Sequence, residues 1–121
     1  MKHWLIIKPL NAALYSLSGM RVAIATERAF QQELIVLFFL FIAVHFSALS
    51  FITSAFLIFS WVMVMVVELL NSAIEAAFDR MGTEEDALTK IGKDLASAAV
   101  FLLILFNIAL WIAASMATTG L

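Results

Sequence analysis

The chain has 121 residues, of which 64% are apolar and 13% charged, with a formal net charge of −2 and no cysteine. Soluble domains are about half apolar and about a quarter charged, so a globule of this size cannot enclose so much hydrophobic surface, and the composition predicts a single-domain membrane protein. The missing cysteines exclude disulfides, thiolate metal sites and cysteine nucleophiles, and the weak charge offers no basic footprint for nucleic acid.

Residues 1–29 place Leu10, Ala13, Leu14, Leu17, Met20 and Ile24 at three- and four-residue spacing between Lys8, Asn11, Ser16 and Arg21. That pattern predicts an amphipathic helix lying on the membrane surface, with Trp4 as a headgroup anchor. The first apolar run, residues 4–7, is too short for the core of a signal peptide. The 34 residues from Leu34 to Val67 carry no Asp, Glu, Lys or Arg. A span needs about 20 residues, so this tract is too long for one and slightly short for two. It reads as a tight hairpin of spans near residues 30–48 and 52–70, turning among Ser47, Ser50, Thr53 and Ser54 without a Gly or Pro to mark the turn. A third span is expected over residues 95–117. Between the last two, residues 71–94 read as a helix extension and a loop that breaks at Gly82. A short helix is expected to restart at Thr83, where TEED resembles a cap followed by first-turn acids. All seven basic residues, Lys2, Lys8, Arg21, Arg28, Arg80, Lys90 and Lys93, then fall on one side. The positive-inside rule makes that side the cytoplasm, with the hairpin, His45 and the C-terminus outside. Asn107, alone in the third span, is expected to hydrogen-bond between helices, and the Phe-rich stretch at 38–59 to face lipid or pack in the core.

The informative chemistry lies in ELLNSAIEAAFDR, residues 68–80, which continues the second span. On a helix Glu75 lies about −20°, Asp79 about +20° and Asn71 about −60° from Glu68, so three acids and an amide share one face. Glu68 and Glu75 are separated by roughly 10 Å along the axis, which lets one sit at headgroup depth while the other reaches the cytosol. A carboxylate at the membrane boundary is expensive without a partner or a task. Three readings fit the face: interhelical hydrogen bonding with solvated outer acids, a proton or ion path, and an interfacial metal and phosphoryl site. No acid lies deeper in the bilayer to continue an ion path, and spacing alone does not separate the rest. Neither a Walker motif nor a kinase HRD or DFG run is present.

Three blocks together resemble the small bacterial integral-membrane diacylglycerol kinases: ELLNSAIEAAFDR at 68–80, KDLASAAV at 93–100, and ERAFQQE at 27–33, which is similar to the family's E-x-A-F-x-Q-E element. The resemblance runs from about Lys8 to Val100. It implies an all-α fold of a surface helix and three transmembrane helices, assembled in the bacterial inner membrane as a homotrimer with sites shared between subunits. The implied activity is phosphorylation of diacylglycerol to phosphatidic acid by ATP and Mg²⁺. Carried over residue by residue, Glu68 matches the catalytic base, and Glu27 and Glu75 the acids holding magnesium. Lys93, Asp94, Lys8, Tyr15, Glu84, Glu85 and Asp86, together with Glu27 and Glu75, match nucleotide-contacting positions. Arg21, Gln32, Glu33, Glu68 and Ser97 match the lipid's polar end, with Asn71 and Asp79 in support. The chain departs from the family at Leu17, where many members carry tryptophan, and at Gln31, where they carry a basic residue, both at the lipid-facing end of the site. An undecaprenol kinase of the same family is the alternative enzyme, and a non-enzymatic membrane subunit the alternative class.

Overall fold

The computed structural model describes residues 3–82 and 86–119 as four helices: α1 (His3–Thr26), α2 (Arg28–His45), α3 (Phe51–Met81) and α4 (Ala87–Thr119). By length and composition α2, α3 and α4 can each cross a membrane. They follow one another as antiparallel neighbours, with α3 between α2 and α4.

Glu27 alone separates α1 from α2. Its backbone is extended (φ −92°, ψ 105°), yet its N–H still donates to the Ala23 carbonyl and its own carbonyl accepts from the Gln31 N–H, each at 3.0 Å. The Gln31 side chain spans the joint, Nε2 donating to the Ile24 carbonyl at 2.9 Å. A local anchoring role thus falls to Gln31, where the resemblance implies a basic residue.

At the opposite end, serines build the hairpin. Ser47 Oγ donates back to the Val44 carbonyl at 2.8 Å, and Ser50 caps α3 by accepting the Thr53 N–H at 3.2 Å. Such caps satisfy the orphan amides of a first turn. No positive φ occurs here; among the described residues only Gly82 adopts one, at 146°. Gly82 ends α3, where a side chain would be strained.

Two extents differ from the sequence reading. The first span closes at His45 rather than near residue 48, and the short helix expected before the third span is instead the opening of α4, continuous with it. Thr83, Glu84 and Glu85 lie outside the described residues; the described helix opens on Asp86. Nothing between Ala87 and the span breaks the helix, because Gly92 gives up its side chain to a close approach. A Cβ there would stand 2.5 Å from Cζ of Phe78. The glycine therefore seats the Phe78 ring and brings the ends of α3 and α4 together.

The core is small. Phe30, Leu57 and Val64 are fully buried, and Phe30 and Val64 cluster with Ala23, Trp61, Met65 and Val100. Ala23 is the one buried residue of α1 among those described. Its large apolar side chains, from Leu5 to Ile24, are otherwise exposed, as are Phe38, Phe39, Phe56, Phe59, Phe101 and Phe106. Within the spans, Asn107 Nδ2 donates to Ser60 Oγ at 2.6 Å and to the Leu57 carbonyl at 3.3 Å, while Ser60 Oγ donates to that same carbonyl at 2.9 Å. This buried knot joins α4 to α3, as expected for a lone amide in a span. Replacing Asn107 with Val is expected to weaken the α3–α4 pair by about 0.6–2 kcal/mol, read as a lower midpoint of unfolding in mixed micelles; Ser60 keeps its own acceptor, so no larger loss follows.

Candidate active site

The buried face of α3 runs Leu57, Ser60, Trp61, Val64, Met65, Glu68, Asn71. It is a stripe at helical spacing that turns polar at its last two positions. Glu68 is only 8% exposed and Asn71 9%. From α2 the corresponding buried residues are Phe30 and Glu33, and Glu33 is also 8% exposed. The folding of α2 against α3 therefore buries two acids from different helices.

Negative charge concentrates there, with Asn71 hydrogen-bonded to Glu68. Glu33 and Glu68 lie within electrostatic reach of each other, and Glu27 and Glu75 both act on Glu68. Glu27 Oε2 accepts a hydrogen bond from Ser72 Oγ at 3.2 Å, which ties the α1–α2 joint to α3. Two acceptor oxygens in this region, Glu33 Oε2 and Asn71 Oδ1, are buried with no donor. An unsatisfied buried polar atom costs about 1–3 kcal/mol, so the arrangement calls for a ligand that supplies positive charge or protons. All the available donors are oxygens, the set a hard divalent cation takes. Among the described residues no group of three or more acids or histidines forms a closed metal cage. A cage is not what Mg²⁺ requires, since it is held by one or two carboxylates together with substrate phosphates. The oxygens present fit that mode.

Beside these acids, residues 16–23 of α1 face α3 across a gap. Ser16, Gly19, Met20, Glu27, Leu69, Ser72 and Ala76 line a cleft of about 550 Å³ between them, a mixed polar and apolar wall that suits an amphiphile. A larger hollow of about 1050 Å³ sits at the hairpin, walled by Phe38, Phe41, Phe46, Phe51 and Phe59. It contains none of the acids.

The chain's sequence matches the prokaryotic diacylglycerol kinase family over residues 14–115. The chain belongs to that family. Diacylglycerol kinases similar to it include those of Escherichia coli (strain K12), 40% identical over 102 residues covering 84% of each chain, and of Helicobacter pylori (strain 26695), 38% identical over 101 residues covering 84% of this chain and 79% of the relative. The enzyme of that name from Pseudomonas aeruginosa is 44% identical over 93 residues, 76% of this chain and 75% of its own length.

With family membership established, the remaining residues named from the sequence take their places. Lys8, Tyr15, Arg21, Gln32 and Ser97 are exposed, the first three on α1, and Glu84 and Glu85 lie outside the described residues. Asp79, Lys93 and Asp94 form part of an ion-paired cluster on the extension of α3 and the start of α4. Lys93 Nζ reaches Asp79 Oδ1 at 3.1 Å, and Lys90 pairs with Asp94 one turn along at 2.6 Å. Leu17 is exposed on α1.

Asp86 caps α4, Oδ1 accepting the Thr89 N–H at 2.8 Å. That bond holds the Asp86 carboxyl below the usual carboxylate range. A depressed folded value means the cap contributes stability above the ordinary carboxylate pKa and loses it as pH falls through the lowered one. The protection factor of the Thr89 amide, its exchange rate taken against the intrinsic rate at each pH, is therefore expected to hold at neutral pH and to fall only in strongly acidic solution; an Asp86→Ala variant should show a low protection factor throughout.

Sequence reasoning missed Ser72 and Trp61 as parts of this region. Ser72 follows Asn71 directly, and its hydroxyl meets Glu27, a partner 45 residues away that spacing within one helix does not disclose. Trp61 gives a signal only in retrospect, seven residues before Glu68 and so on the same helical face.

Proposed function

We propose that the chain is an ATP- and Mg²⁺-dependent diacylglycerol kinase of the bacterial inner membrane, converting diacylglycerol to phosphatidic acid at the cytoplasmic leaflet as a homotrimer. The observation that carries the reading is the buried pair Glu33 and Glu68 with Asn71, set beside Glu27 and Glu75 at the end of the apolar stripe. Family membership supports the lipid kinase activity. The cytoplasmic orientation is supported by the basic residues gathered at the acid-bearing end, and trimer formation by the apolar faces that one thin bundle leaves uncovered.

In this reading Glu68 is the general base, at the depth where a lipid's free hydroxyl lies in the headgroup layer. It accepts the hydroxyl proton as the hydroxyl oxygen bonds to the γ-phosphorus and the bond from that phosphorus to the bridging oxygen breaks, releasing ADP. Glu27 and Glu75 would hold Mg²⁺, which when bound offsets the charge of the ATP phosphates. Ser72 orients Glu27 through its hydroxyl, and Asn71 offers its unpaired oxygen beside the base. Lys93 and Asp94, with Lys8, Tyr15, Glu84, Glu85 and Asp86, contact the nucleotide, while Arg21, Gln32, Glu33 and Ser97 face the lipid's polar end. Asp79 supports Lys93. The cleft beside α1 gives an amphiphile a lateral path to Glu27. Little covalent work is required of the protein, since phosphoryl transfer depends on positioning and charge neutralisation.

Purified protein in mixed micelles with γ-labelled ATP, Mg²⁺ and diacylglycerol is expected to yield labelled phosphatidic acid. Labelling of undecaprenol in preference to diacylglycerol would overturn the substrate assignment, and labelling of neither lipid would overturn the reading.

A further inference from the structure

We propose that Trp61 is a positioning residue of this site, fixing the register of α2 on α3 and with it the placement of Glu33 against Glu68; the inference rests on the kinase reading above. The indole Nε1 of Trp61 donates to the main-chain carbonyl of Glu33 at 2.9 Å, a buried bond between residues 28 apart in sequence. Its donor lies two turns from Glu68 on the same face of α3, and its acceptor belongs to the residue whose carboxyl lies within electrostatic reach of Glu68. Ser60, the preceding residue, is bound to Asn107 of α4. One turn of α3 thus holds both neighbouring spans.

The apolar contacts around it cannot do this alone. Phe30, Val64 and Met65 pack without direction, and such faces tolerate sliding along ridges and grooves. Glu33 Oε2 is buried without a donor, so no bond to that oxygen fixes the carboxyl. The indole bond is directional, and it acts on the backbone from which the carboxyl projects. It also contributes little to satisfying polar groups, because the Glu33 carbonyl lies in the first turns of α2 and already serves the helix. Replacing Trp61 by Phe removes the donor, keeps an aromatic ring and leaves no acceptor orphaned. The variant is therefore expected to fold, and its defect to be one of placement.

Two measurements on the full chain in lipid test the proposal. In turnover with ATP, Mg²⁺ and diacylglycerol, Trp61→Phe is expected to lower kcat about tenfold, within the 10²-fold that a misplacement of about 1 Å can cost, with KM for ATP unchanged and the thermal midpoint still well above the assay temperature. In a Glu33→Gln background the same substitution should reduce the residual kcat by less than about twofold, because coupled residues are not additive. An unchanged kcat in the single variant, or a full tenfold loss on top of Glu33→Gln, overturns the proposal. The second measurement needs no catalysis. The chain contains no cysteine, so Glu27→Cys with Ser72→Cys, replacing a pair in contact at 3.2 Å, reports the α2–α3 register through cross-linking by a short bis-methanethiosulfonate reagent. Adding Trp61→Phe is expected to cut the yield several-fold; equal yields with and without it overturn the proposal. A parent protein that phosphorylates no lipid would defeat the kinase reading while the cross-link still decides the role of Trp61.

Discussion

Glu68→Gln is expected to lower kcat by about 10²- to 10⁴-fold, the range general-base removal commonly costs, with the fold and helix packing retained. The substitution preserves shape at a position only 8% exposed and removes one negative charge from a region where Glu27, Glu33 and Glu75 all act on it. Stability should therefore hold or rise slightly, because the charge removed is one that its neighbours repel. The loss would thus separate chemistry from folding, and single-turnover measurement of lipid phosphorylation alongside an unfolding curve in mixed micelles reads both. A variant with near-normal turnover would transfer the base role elsewhere in the cluster.

The second large effect concerns the other end of the same face. Glu75→Ala is expected to weaken Mg²⁺-dependent ATP binding by about a hundredfold or more, since losing even an outer partner of a metal ligand commonly costs 10- to 100-fold. Glu75 is exposed on the extension of α3, so its removal leaves no buried cavity and structural loss should be negligible. Titration calorimetry with ATP in the presence and absence of Mg²⁺ isolates the effect: the metal-dependent part should vanish, and any weaker metal-independent binding should persist. Retention of the Mg²⁺ dependence would place the metal on Glu27 and groups other than Glu75.

Much of the architecture was legible because it follows from what water and lipid exclude. A charge-free tract longer than one span and slightly short for two forces a hairpin, and Gly82 marks the end of α3 because its φ of 146° strains any other residue. The face shared by Glu68, Asn71 and Glu75 follows from helical geometry alone. What stayed hidden depends on pairs of helices. That Glu33 is buried against Glu68, that Ser72 reaches Glu27, and that Trp61 reaches the backbone of α2 are properties of register between segments far apart in sequence, and periodicity within one segment carries no information about register. The first turns of α4 read as a separate helix for a related reason. That Gly92 seats the Phe78 ring is a property of the facing helix, which the spacing within residues 83–94 does not disclose.

The joint at Glu27 carries a mechanical consequence. A single extended residue separates α1 from α2, and that residue bears one of the carboxylates assigned to the metal, tied in turn to Ser72 of α3. The N-terminal helix is therefore a lever whose pivot is itself a proposed metal ligand. Any swing of α1 about that pivot must rotate the Glu27 carboxylate or break its bond to Ser72, so the arm cannot move without the site registering it.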